Sequence, residues 1–223
     1  LQAIRERLLT QPGDPVLYFI RNGSVWQDAA PQRPDRQAYL QMLERVLHGR
    51  LVQNLSAKAC SVRFPEGLRL ACPASEKNFV GNLPFGSSYE MSDHNFFGIY
   101  WREAWGTQDF DISFVDWSGV KTGWNAHYNT GQVLYSGDMT SARPEAAEVL
   151  YCREGCPDGT VYCNRFNGDE GSRFRFFVGR QDIAELTAGY MVDPNAKIVD
   201  EELISDRRQK MLAVVSGGRF FLM

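Results

Sequence analysis

Hydrophobic and polar positions change period along this chain, from helical spacing near the start to alternation over the remainder. In residues 1–9, Leu1, Ile4, Leu8 and Leu9 share one helical face, and Gln11-Pro12-Gly13 ends the segment. Residues 16–20 and Val25-Trp26 are apolar runs around Asn22-Gly23, the dipeptide favoured by tight hairpin turns. After Pro31 and Pro34 comes the clearest helical pattern, with Asp35 as its cap and Tyr39, Leu40, Leu43, Val46 and Leu47 recurring up to Gly49.

Beyond Gly49 the pattern predicts strands. Short β segments are expected at 51–55, 59–64, 68–71 and 78–80, with Pro65-Glu66-Gly67 as a turn. Residues 96–101 form a stronger candidate, and Phe110, Ile112, Phe114 and Trp117 lie close to a period of two. Segments 124–128, 133–135, 148–152, 159–166 and 173–178 continue the series, separated by turn residues as in a sandwich or a barrel. In 173–178 the alternation breaks at Phe176-Phe177, which predicts a central strand covered on both faces. Residues 183–186 read as a loop, and 211–215 with 219–223 flank Gly217-Gly218 as a terminal hairpin.

Composition narrows the class. The 223 residues are 43% hydrophobic and 23% charged, which fits a folded globule, and the many aromatics and glycines favour β structure. A net charge of −3 without a block of like charges argues against a dedicated nucleic-acid binder. No apolar run approaches the roughly 20 residues of a membrane span. Arg5, Glu6 and Arg7 interrupt the first apolar segment, so it does not read as a signal peptide. The cysteines are Cys60, Cys72, Cys152, Cys156 and Cys163; an odd set without C-x2-C pairs predicts reduced thiols in the cytoplasm rather than staples or a zinc knuckle.

The middle of the chain carries the candidate chemistry. Asp109 and Asp111 are two apart on a predicted strand and therefore share a side, which faces solvent or a common cation if Phe110 and Ile112 face the core. Two carboxylates that close repel unless a cation lies between them, although a solvated strand edge would also carry them. Asp116 reads as a turn former bonding its own backbone, and Asn167-Gly168-Asp169-Glu170-Gly171 as a hairpin tip. His48, His94 and His127 are scattered, and no nucleophile elbow or glycine-rich phosphate loop occurs, so no catalytic residue is assigned.

Residues 98–151 resemble the tellurite-resistance TerD family. The resemblance is carried by Tyr100-Trp101, Gln108-Asp109-Phe110-Asp111-Ile112-Ser113, Val115-Asp116-Trp117-Ser118-Gly119, Gly123-Trp124-Asn125, Tyr135-Ser136-Gly137-Asp138 and Glu145-Ala146-Ala147-Glu148. It implies a two-sheet antiparallel β-sandwich that binds calcium, in bacterial stress and defence operons, without enzymatic chemistry of its own. The chain is then mainly β: residues 1–50 form a small helix–hairpin–helix extension, and 51–223 form the sandwich domain. By the same resemblance, Asp109, Asp111 and Asp138 are the metal ligands and a protein is the expected partner. The family's loop after the Gly-Asp step is dense in acids. Here it reads Met139-Thr140-Ser141-Ala142-Arg143-Pro144, a thin ligand supply with Arg143 nearby. The alternative is an enzyme acting on a glycan or nucleotide through a cleft lined by Trp and two carboxylates.

Overall fold

The computed structural model describes residues 15–19, 25–29, 36–56, 66–71 and 79–223. Within them, alternating apolar residues build two antiparallel sheets. The five-stranded sheet runs β10 (Leu134–Tyr135), β11 (Glu145–Cys152), β7 (Asn95–Arg102), β13 (Arg173–Arg180) and β14 (Lys197–Ile204). The seven-stranded sheet runs β3 (Leu68–Arg69), β6 (Ser88–Glu90), β16 (Arg219–Leu222), β15 (Gln209–Ser216), β12 (Gly159–Asn167), β8 (Asp109–Asp116) and β9 (Lys121–Gly123). A small pair, β4 (Phe79–Val80) with β5 (Leu83–Pro84), stands beside them.

The sheets stack as a β-sandwich around one shared core. Phe97, Ile99 and Trp101 of β7, Leu150 of β11 and Phe174 and Phe176 of β13 meet Phe110, Ile112 and Phe114 of β8, Val161 of β12 and Phe220 of β16. Trp101 and Phe110 pack edge-on at 5.9 Å, and Phe110 meets Phe174 at 5.1 Å. Each such ring, taken wholly out of water, contributes roughly 1.5–3 kcal/mol. The five-stranded sheet is covered on its outer face too. There Phe96, Val149, Tyr151 and Phe177 pack under Ile183, Leu186, Tyr190 and Val192 of the irregular segment before β14. That cover explains why β13 breaks alternation, as the sequence predicts: Phe176 faces the shared core and Phe177 the outer one.

The N-terminal part forms a hairpin and a helix. β1 (Pro15–Phe19) pairs with β2 (Val25–Ala29), with Tyr18 opposite Trp26. Helix α1 (Arg36–Ser56) continues past Gly49, so 51–55 is helical rather than β, and the expected division at 50/51 falls inside the helix. A lone glycine costs a helix only about 1 kcal/mol and does not end it. The expected first helix (1–9) and the segment 59–64 lie outside the described residues. No helix among those described is long and apolar enough to cross a membrane.

One further expectation is corrected, and one strand is additional to those expected. Residues 124–128 are a turn, not a strand: β9 ends at Gly123, whose φ of 136° and neighbour Asn125 at 52° turn the chain away. β14 was not expected at all, because charges interleave its apolar residues. Val199 and Leu203 are nonetheless buried, and Glu201 between them accepts from the Asn82 amide N–H at 2.8 Å. The terminal hairpin is as predicted, with Gly217 and Gly218 at φ 58° and 71° between β15 and β16.

Candidate metal centre

Strand β8 is buried on both faces for most of its length. Phe110, Ile112 and Phe114 point into the shared core, and Asp109, Asp111 and Ser113 lie on the opposite face of the strand. Of the two settings expected for that face, solvent or a common cation, the first does not hold: Asp111 is only 2% exposed and Asp109 9%. Two rings approach each other from the strands on either side. Phe166 sits at the bulge where β12 shifts register against Asp109 and Phe110, and Trp124 follows directly on β9. Their rings meet at 5.6 Å, so they reach towards each other across β8.

Asp138 arrives from the other sheet. It lies in the connection from β10 to β11, just after Gly137, whose φ of 117° turns the chain out of β10. A side chain at Gly137 would be strained and would press on Ala188, whose Cβ lies 3.2 Å from the position of an added Cβ. The three expected ligands are thus brought together, with one carboxylate oxygen from each of Asp109, Asp111 and Asp138 within 4.8 Å of the others.

Glu148 braces this arrangement, and the sequence reading did not single it out. It lies on β11 on the same side as Ala146, Leu150 and Cys152, facing the interior, and it is completely buried. The Ile112 backbone N–H donates to its Oε2 at 2.9 Å, and the Met139 N–H donates to its Oε1 at 2.9 Å. One carboxylate therefore ties the free edge of β8 to the residue after Asp138. The signal was present as an acid in phase with buried residues, but the strand starts three residues earlier than the apolar run indicates.

Burial and crowding set the charge states. Burial, then the charge of Asp138, raises Asp109 above the usual carboxylate range. Asp111 is pushed up to about 7 by burial, then by Asp109 and Asp138, with Lys121 opposing. Glu148 is pushed up to about 8 by burial, against the stabilising N–H groups of Ile112 and Met139. Burial, followed by the charge of Glu148, holds the Tyr135 phenol well above its usual range; its hydroxyl lies near that carboxylate but makes no hydrogen bond of acceptable geometry. The cation acting on the cluster is Lys121, not Arg143, which is exposed along with Thr140 and Ser141.

The donor set fits a metal ion. Asp109 Oδ1 is buried and has no hydrogen-bond partner among the described residues. A buried carboxylate oxygen so placed is costly unless something positive meets it. All three groups are hard oxygen donors, with no His or Cys among them. The cluster can therefore hold a metal ion, whose charge would offset the crowding of the carboxylates.

The remaining candidates take plainer roles. Asp116 is a turn former as predicted: its Oδ1 accepts from Ser118 Oγ at 2.7 Å and from the Val120 N–H at 2.8 Å, and these bonds hold its carboxyl below the usual range. Residues 168–172 carry the chain from β12 of one sheet to β13 of the other, so they form an inter-sheet connection rather than the expected hairpin tip. Trp101 is sealed in the core, Trp117 is 61% exposed on the β8–β9 turn, and the pair does not line a common cleft. No family model, curated protein or solved structure matches this chain.

Proposed function

We propose that this chain is a TerD-like, non-enzymatic binding module of the bacterial cytoplasm that holds a calcium ion where β8 of one sheet meets the β10–β11 connection of the other, and that engages a protein partner in stress or defence. The observation that carries the reading is the convergence of Asp109, Asp111 and Asp138 within 4.8 Å, with a buried Asp109 oxygen left unpartnered. Three carboxylates on a strand and a loop suit calcium, which takes oxygen ligands in adaptable geometry. Magnesium demands stricter octahedral geometry and retains its waters, and zinc prefers nitrogen and sulfur. The cation would join β8 of one sheet to the β10–β11 connection of the other, so loading would set the geometry of that edge.

The enzyme alternative is less well supported. Paired catalytic carboxylates of glycosidases stand roughly 5–9.5 Å apart, leaving room for sugar or water. Here the acids crowd more closely, and the shared core is filled with side chains.

Titration calorimetry on metal-stripped protein tests the cation. Calcium should release or absorb heat with one site per chain, magnesium should compete weakly, and Asp111→Ala should remove the signal. No calcium heat, or an unchanged signal in Asp111→Ala, would dismiss the site.

A further inference from the structure

A second site lies in the connection from β11 to β12. Cys152 ends β11 and is completely buried, and Cys156 packs against the same core from the short loop that follows. The Cys152 and Cys156 sulfurs are in hydrogen-bond contact at 2.8 Å. Neither thiol is locked in a disulfide, and Cys163, the third free cysteine among the described residues, is fully enclosed. The loop is pinned from outside: the Gly155 N–H donates to Asp93 Oδ1 at 3.1 Å, and the His94 N–H donates to the Arg153 carbonyl at 2.9 Å. These contacts hold Cys156 over Cys152 without any crosslink.

We propose that Cys152 and Cys156 form a redox-active dithiol that closes to a disulfide when the protein meets a peroxide. Cys156, the more accessible of the two, attacks one peroxide oxygen as its thiolate, giving a sulfenic acid and water. Cys152 then attacks that sulfur, the S–S bond forms, and the sulfenic oxygen leaves as a second water. Two thiols and one hydrogen peroxide become one disulfide and two waters; sulfur is oxidised and peroxide oxygen reduced. The existing contact means that closure needs a small sulfur displacement and no rearrangement of the strands. The Cys152 hydrogen bond and burial hold the Cys156 thiol above its usual range, so thiolate is scarce and closure is faster in alkali. This site is independent of the cation.

The test uses the full chain with hydrogen peroxide as oxidant, followed by alkylation and intact-mass and peptide analysis. The expected product is lighter by two hydrogens. Cleavage after Arg153 and Tyr162 separates the three cysteines and should yield peptides joined through Cys152 and Cys156, reversible by dithiothreitol. The rate should rise about tenfold per pH unit while the thiol remains mostly protonated. Cys156→Ser should lose the two-hydrogen change, and Cys163→Ala should keep it. Alkylation of both cysteines after oxidation, sulfinic acids in place of the crosslink, or a disulfide to any other cysteine would each overturn the proposal.

Discussion

The carboxylate of Glu148 reaches from one sheet to accept the Ile112 N–H of the other at 2.9 Å. Its second oxygen accepts from the N–H of Met139, the neighbour of Asp138, so one buried acid positions the strand and the loop that supply the carboxylate cluster. Strand β9 pairs with β8 only from Ser113 onward, and Glu148 supplies the acceptor that a longer β9 would have offered Ile112.

Replacing Glu148 should therefore damage the fold before it alters the metal. Glu148→Ala leaves the buried Ile112 N–H and the partly buried Met139 N–H without their acceptor, the first at about 1–3 kcal/mol and the second at less. Glu148→Gln keeps one oxygen acceptor and should cost roughly half as much. Urea denaturation of both variants ranks them, and equal stabilities would contradict the bridging role.

For metal-free protein, acidity should stabilise. Asp111 and Glu148 have folded-state values of about 7 and about 8, above their ordinary 3.8 and 4.5. The folded state retains protons that the unfolded state releases, so this contribution is complete below about pH 4 and is lost as pH rises through about 7 to 8. The melting temperature in chelator should fall between about pH 5 and pH 8.5. On the proposed site, calcium would match the ionised acids, and the fall should flatten or reverse. A chelated protein that becomes more stable over this range would contradict the burial of these acids.

Asp111→Asn separates charge from shape. At about pH 8 in chelator it removes a buried, crowded anion and should raise stability by about 1–3 kcal/mol. That corresponds to a melting increase of roughly 2–4 °C per kcal/mol for a chain of this size. The same variant should lose the calcium-induced shift in melting. Destabilisation in chelator together with an intact calcium shift would place the charge elsewhere.

Gly98 tests the outer core. It lies opposite Val149 on β11 and Phe177 on β13, and an added Cβ would overlap the Phe177 ring. Gly98→Ala should cost about 1–3 kcal/mol or more by overpacking. Combined with Phe177→Leu, the two changes should be less than additive, because the smaller side chain frees the space. A double-mutant cycle by chemical denaturation measures this, and strict additivity would rule out the contact.

Much of the sandwich was legible because strand alternation is local. The phase of Phe110, Ile112 and Phe114 on β8, the double cover implied by Phe176-Phe177, and the Gly217-Gly218 turn all follow from neighbours in the chain. β14 escaped because Asp200, Glu201 and Glu202 mask its alternation, and burial of Glu201 depends on Asn82, which is 119 residues away in the chain. Trp124 reads as strand from its aromatic character alone, whereas the positive φ angles of Gly123 and Asn125 turn the chain there.

The sequence by itself determined that β8 carries two acids on one side and apolar residues on the other, since successive side chains of a strand must alternate. Only the tertiary structure decided that those acids are enclosed, that Asp138 of another connection meets them, and that Glu148 fastens the two together. Those outcomes depend on sheet order and on which edge is left uncovered, and such pairings between distant segments leave no periodic trace in the chain.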